Sequence, residues 1–296
     1  MGFKFQKAVR ENVWTKIMLG GPSGSGKTYT ALRLATGLAK KQNSRIAFID
    51  SEAGRAKYYA SEFDFDILEL ERTRPEDYIE AIDAALSADY KIIIVDSITH
   101  EWNTLLQEKE RMPGNDFTKW SKLTPRHDKF IEKLLFCEAH TIVTVRGKDE
   151  YVLEEKNGKQ VPKKIGLGFK QRDGVEYEYT CTFTIDQDTH VASCTKDNTH
   201  LFEGRYDVLT ENDGENLYDW ANSGNVPARK RVQKTVPDTS VQDLQKEIIE
   251  LCKVKGGSKN KNVMDVMLKY TSNGNPMQIT DVNKLEELKK EIEVVE

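Results

Sequence analysis

Eight consecutive residues, Gly21-Pro22-Ser23-Gly24-Ser25-Gly26-Lys27-Thr28, satisfy the phosphate-binding pattern G-x-x-x-x-G-K-[ST] at every constrained position. Glycines let the backbone take positive φ and approach an anion with no Cβ in the way. N–H groups at the start of the following helix, aided by its dipole, favour that anion. Lys27 is expected to reach the β- and γ-phosphates of a nucleoside triphosphate, Thr28 to ligate Mg²⁺, and Tyr29 to complete the nucleotide-binding run. Asp96 closes the apolar run from Ile92 and suits a metal-holding carboxylate at a strand end; the plainer alternative is a loop aspartate capping the next helix. Hydrolysis also needs a carboxylate to orient or deprotonate water. Glu52 follows another strand end, Asp50 is its rival, and spacing alone does not choose between them.

These residues need a scaffold. Lys16–Leu19 reads as a short buried strand, and residues 31–39 as a helix with Leu34 and Leu38 one turn apart. Arg45–Asp50 is a second strand, followed by a short helix near Ala56–Ser61 and a strand near Asp66–Leu70. Thr73-Arg74-Pro75-Glu76 resembles a capping box, opening a helix with Ile79, Ile82 and Leu86 on one face. Lys91–Ser97 is apolar on both faces, as a central parallel strand should be. This alternation predicts a parallel, doubly wound α/β sheet.

Ile98–Arg111 is predicted helical and broken by Met112-Pro113-Gly114-Asn115. Thr124-Pro125 starts a helix with Phe130, Ile131, Leu134 and Leu135 as its buried stripe, then Thr141–Arg146 is a strand. Tyr151–Glu155 and Gln160–Lys164 flank the hairpin signal Asn157-Gly158. Tyr177–Ile185 and His190–Ser193 form a second antiparallel pair turning at Asp186–Thr189. Residues 1–14 suggest an edge strand or packed arm, and Trp102 and Trp120 read as core. The expected domains are a core over 1–222, a linker over 223–239 carrying Arg229-Lys230-Arg231, and a small helical domain over 240–296.

With 296 residues, 31% of them charged, and a net charge of −4, any nucleic-acid surface must be local. Cys137, Cys181, Cys194 and Cys252 are scattered, which argues against zinc or a disulfide framework. No apolar run approaches the ~18 residues of a membrane span, so a cytoplasmic location is expected. No guanine-reading N-K-x-D motif occurs, which favours ATP.

Ala47-Phe48-Ile49-Asp50-Ser51-Glu52-Ala53, Tyr58-Tyr59-Ala60 and Ile93-Ile94-Val95-Asp96-Ser97 resemble the RecA family of P-loop ATPases. Asp96-Ser97-Ile98-Thr99-His100-Glu101-Trp102 is further similar to bacteriophage-type RecA-like AAA ATPases, some of which are single-strand annealing or recombination proteins. The resemblance covers roughly residues 15–210. It implies a RecA-like P-loop fold, which with the turn signals and helical periodicity read above gives a mostly parallel central sheet extended by antiparallel hairpins, plus a small C-terminal helical domain. It makes Glu52 the catalytic carboxylate and puts Arg146 where a γ-phosphate sensor, usually glutamine, would stand; Thr99-His100 is a further candidate sensor of phosphate state. Lys196 matches the lysine of a K-x-R finger that acts on a neighbour's nucleotide, but Asn198 replaces its arginine, so activation in trans is weakened or supplied elsewhere, for instance by Arg172. A homo-oligomer with nucleotide at the subunit interface follows.

The same resemblance puts a DNA-contacting loop at residues 147–173. That segment holds Lys148, Lys156, Lys159, Lys163, Lys164, Lys170 and Arg172, with Tyr151 and Phe169 interleaved. Cations on phosphates and aromatics under bases hold single-stranded DNA without sequence preference; the plainer reading is a solvated hairpin. The reading as a whole is a Mg²⁺-dependent ATPase stimulated by single-stranded DNA. Its rivals are a nucleotide-gated scaffold, which Asn198 favours, and a small-molecule phosphotransferase, for which Arg111 and Arg126 are too sparse to form a lid.

Overall fold

The structure is a computed structural model that describes residues 5, 7–156, 159–227, 241–257, 260–271, 274–279 and 281–295. The chain divides into two compact units, Met1–Arg231 and Val232–Glu296.

The first unit is built on one sheet. Strands β1 (Lys16–Gly21), β2 (Ile46–Asp50), β3 (Asp66–Glu69), β4 (Ile92–Asp96) and β5 (His140–Lys156) are joined by helices α1 (Lys27–Gln42), α2 (Pro75–Ser87), α3 (Thr99–Arg111) and α4 (Asp116–Phe136). Strands β6 (Lys159–Phe169), β7 (Cys181–Ile185), β8 (Ala192–Asp197) and β9 (Tyr206–Asp207) and helix α5 (Glu211–Ala221) complete it. The order is β3-β2-β4-β5-β1-β7-β8-β9, with β6 paired to β5. From β3 to β7 every pairing is parallel, while β6, β8 and β9 pair antiparallel. The fold is therefore α/β, with a mostly parallel sheet extended by antiparallel hairpins.

Strands β1, β2 and β4 are buried along their whole length, as strands covered on both faces must be. Successive side chains alternate between two cores. Ile17 and Leu19 join Leu34, Phe48, Ile94 and Phe183 on one face. Met18 joins Ile49, Tyr78, Ile93 and Phe130 on the other. Of the N-terminal arm, residues 11–14 pack on this unit while Phe5 and Val9 are exposed: Val13 N–H donates to the Ala221 carbonyl at 2.9 Å, and Trp14 meets His140 edge-on.

Several boundaries differ from the sequence reading. Helix α4 starts at Asp116, not at Thr124-Pro125, because the Asn115 side chain caps it by accepting from the Thr118 N–H at 2.9 Å. Pro125 lies inside that helix, whose added turns bring Leu123 into the interior. The capping box of α2 sits one residue later than expected: Arg74 N–H donates to Asp77 Oδ2 at 3.0 Å, while Thr73 Oγ1 pairs with Thr104 Oγ1. Gly174, with φ of 90°, turns the chain into a 3₁₀ turn at Val175–Glu178, so Tyr177 and Tyr179 precede β7 instead of lying on it. A bulge between Thr182 and Phe183 carries the partner strand on to Asp197 rather than ending it at Ser193. Trp102 and Trp120 are half-buried and stack on each other, with centroids 5.4 Å apart at 14°, outside the buried cores. Strand β5 runs unbroken through Arg146 and Tyr151; the turn Asn157-Gly158 and the basic linker cluster Arg229-Lys230-Arg231 lie outside the described residues.

The second unit holds helices α6 (Val241–Val254), α7 (Lys261–Tyr270) and α8 (Val282–Glu293). They pack through Leu244, Ile248, Val263, Met267, Leu285, Leu288 and Ile292. Among the described residues no helix is long and apolar enough to cross a membrane.

Candidate active site

The strand-to-helix turn after β1 is the phosphate-loop sequence, with Gly24 and Gly26 at φ of 83° and 87°. Successive glycines in this left-handed region let the loop curl so that its N–H groups form an anion-binding concavity. Lys27, the first residue of α1, donates from Nζ to the Pro22 carbonyl at 2.6 Å. Burial pulls its ammonium below the usual lysine range, against the opposing charges of Asp96 and Glu52. A cavity of about 540 Å³ opens here, lined by the loop, Lys27, Thr28, Tyr29, Glu52, Asp96 and Arg146. Tyr58, Tyr59, His190 and Val208 are among its other walls.

Asp96 ends β4 at the cavity floor. Thr28 Oγ1 donates to its Oδ2 at 2.6 Å and Thr144 Oγ1 donates to its Oδ1. Thr144 is available because β5 lies between β4 and β1 in the sheet. Burial raises the Asp96 carboxyl, and the two hydroxyls oppose that rise. A buried carboxylate oxygen beside a threonine hydroxyl is a hard oxygen pair suited to Mg²⁺. Asp96 thus bonds Thr28 of the phosphate loop and does not cap α3.

Asp50 and Glu52 are placed differently, one buried beneath its loop and the other on the cavity wall. Asp50 is buried and turned back on its own loop, its Oδ1 accepting from the Glu52 N–H at 2.5 Å. It does not line the cavity; it shapes the turn that presents Glu52 there. Glu52 faces Arg146, whose Nη2 lies 2.7 Å from Oε1 and 2.5 Å from Oε2. Ser97 Oγ donates to the same carboxylate at 3.4 Å, and His100 Nε2 lies 3.6 Å away. Burial works to raise the Glu52 carboxyl, but the Arg146 hydrogen bonds with the charges of His100, Arg146 and Arg55 hold it below its usual range.

Arg146 also begins the ribbon made by β5 and β6. Its N–H donates to Thr99 Oγ1 at 2.9 Å, and its carbonyl accepts from the Lys170 N–H at 2.8 Å. Phe169, opposite Gly147 in that ladder, lies against Gly20, where a Cβ would fall 1.9 Å from its ring. The ribbon root therefore touches β1 just before the phosphate loop. Lys148 and Lys170 are exposed there, and Arg172 pairs with Asp128 at 2.6 Å. Lys156, Lys159, Lys163 and Lys164 sit on the ribbon strands, with side chains outside the described residues. Lys196 is on β8, its Nζ donating to the carbonyls of Tyr177 and Tyr179 in its own chain. Arg126, one of the two arginines too sparse to suggest a phosphotransferase lid, is held by Glu76 and Glu108.

Sequence reasoning missed Thr144, Gln187 and His190. The latter two reach the phosphate loop's carbonyls from the β7–β8 turn. Thr144 carried one weak signal, a hydroxyl among apolar neighbours in a buried strand.

A family model described as an AAA domain matches residues 14–232. No curated protein matches the chain. Among solved structures, a KaiC-like protein from the hyperthermophilic archaeon Pyrococcus horikoshii OT3 matches with 16% identity over 62% of this chain and 79% of that one, at a TM-score of 0.36.

Proposed function

The chain belongs to the AAA domain family, and from that premise we propose that it is a RecA-like ATPase that hydrolyses ATP to ADP and phosphate and binds single-stranded DNA. One observation carries the reading: Lys27 at the start of α1, Asp96 at the end of β4 and Glu52 just past β2 line one cavity around the phosphate loop. Thr28 and Asp96 would hold Mg²⁺, which when bound neutralises charge on the triphosphate oxygens. Lys27 exchanges the Pro22 carbonyl for phosphate. Glu52 orients water and takes its proton. Arg146, drawn to the γ-phosphate, releases Glu52, so nucleotide arrival itself frees the base.

Because Arg146 is the root of the β5–β6 ribbon, the same exchange would reach the ribbon's cations, among them Lys148 and Lys170. Those cations support single-stranded DNA as partner, in recombination, annealing or replication. ATP would sit between head-to-tail copies, with Lys196 leaving its own carbonyls to reach a neighbour's nucleotide. The cytoplasm is the proposed location.

A second reading has its own support: a nucleotide-gated scaffold with little turnover. The Glu52–Arg146 pair and Asn198 in the finger position both favour it. Hydrolysis measured with and without single-stranded DNA, on wild type, Lys27→Ala and Glu52→Gln, separates the two. The ATPase reading expects DNA stimulation, abolished by Lys27→Ala and lowered about 100-fold by Glu52→Gln with ATP binding retained. ATP binding without turnover favours the scaffold, and hydrolysis indifferent to DNA removes the ribbon from the reading.

A further inference from the structure

The turn between β7 and β8 packs against the phosphate loop, and its Thr189 and His190 also form part of the cavity wall. Asp186 Oδ1 fastens this turn, accepting from the N–H groups of Asp188 at 3.1 Å and Thr189 at 2.9 Å. His190 follows at φ of 59°, a left-handed conformation in which histidine, like asparagine and aspartate, occurs more often than most residues with a Cβ. From this turn Gln187 Nε2 donates to the Ser23 carbonyl at 3.1 Å. His190 Nδ1 lies 3.1 Å from the Ser25 carbonyl. A carbonyl only accepts, so Nδ1 is assigned the proton.

These hydrogen bonds act on peptide units, not only on atoms. In a trans peptide the C=O and the N–H point in opposite directions. The Ser23 carbonyl shares its unit with the Gly24 N–H, and the Ser25 carbonyl shares its unit with the Gly26 N–H. Pinning both carbonyls toward the turn aims both N–H groups away from it. Gly24 and Gly26, both at positive φ, have no Cβ and so meet little steric resistance to rotation of these peptides.

We propose that Gln187 and His190 are positioning residues that hold the Gly24 and Gly26 N–H groups toward the concave side of the loop, so that a triphosphate meets a cradle already formed. The inference rests on reading the cavity as a triphosphate site. Preorganised donors bind an anion more tightly because no peptide has to be turned at the moment of binding.

Calorimetric titration of the full chain with Mg²⁺·ATP and, separately, with inorganic tripolyphosphate tests it. His190→Gly accepts the backbone conformation but has no donor. His190→Asn also tolerates it and keeps an N–H. Gln187→Met removes the second donor at an exposed position without adding charge. The expected result is a loss of about five- to tenfold for His190→Gly and for Gln187→Met, the size of one hydrogen bond. It should be equal for ATP and tripolyphosphate, restored toward wild type in His190→Asn, with unchanged thermal midpoints before nucleotide is added. Variants that bind both ligands like wild type overturn the clamp alone. A loss confined to ATP also overturns it, since that puts His190 on the base or ribose. A wild type that binds neither ligand overturns the triphosphate reading and the clamp together. Should His190→Gly not fold, Gln187→Met decides.

Discussion

Glu52 and Arg146 meet across the cavity in a two-pronged ion pair, Arg146 Nη2 lying 2.7 Å from Glu52 Oε1 and 2.5 Å from Oε2. A carboxylate held this way is ionised but occupied. Its availability for the proposed role as base depends on what else Arg146 can bind, and a phosphate offers a guanidinium the same bidentate pairing.

Arg146→Ala removes the main influence holding the Glu52 carboxyl low and leaves the burial that raises it. The carboxyl then ionises at higher pH. The acidic limb of the pH–rate profile for ATP hydrolysis should therefore move to higher pH. An acidic limb that stays in place separates the pair from catalysis.

Thr144→Val keeps the shape of a buried β5 residue but takes a donor from Asp96 Oδ1. A buried carboxylate short of one partner costs about 1–3 kcal/mol. Urea denaturation should show that loss, and added Mg²⁺·ATP should recover part of it. Equal midpoints for mutant and wild type would mean that Asp96 is satisfied without Thr144.

His140 offers a pH test of the fold away from catalysis. Thr15 N–H donates to its Nδ1 at 3.1 Å, which requires that nitrogen to be unprotonated, and burial with the nearby Lys16 charge pulls its pKa down to about 3. In the unfolded chain the imidazole takes a proton near pH 6.5. Between those values the unfolded state binds more protons, so stability is full above about 6.5 and falls as pH drops toward 3. His140→Asn, which can still accept from Thr15, should flatten the stability curve there by up to about 1.4 kcal/mol per pH unit. A curve of unchanged slope would mean that His140 is not held neutral.

On the ribbon, Lys148→Glu and Lys170→Glu each reverse an exposed cation near its root. Binding of a fluorescent oligothymidylate should weaken, and the slope of log affinity against log salt should drop by about 0.7 for each phosphate that is no longer neutralised. An unaltered slope in both variants would make the ribbon a solvated hairpin.

Local pattern was enough for much of this molecule. The phosphate loop is contiguous, so the types and spacing of Gly21 to Thr28 carry its chemistry without help from the rest of the chain. The position of Asp96 was legible for a related reason: an apolar run of strand length that ends in an acid places that acid at the strand's C-terminal end whatever the neighbours are. The three helical segments of the second unit were legible from their period alone.

Strand order decided the rest, because it depends on which apolar faces bury together and no single segment encodes that. Glu52 and Arg146 are 94 residues apart, and His190 is 165 residues from Ser25. They meet because β5 inserts between β4 and β1 and β7 pairs on the far side of β1. The same packing let α4 run through Pro125 and moved Trp102 and Trp120 out of the core. Residue types chose the chemistry available to this chain; the burial of two sheet faces chose which of those residues share a cavity.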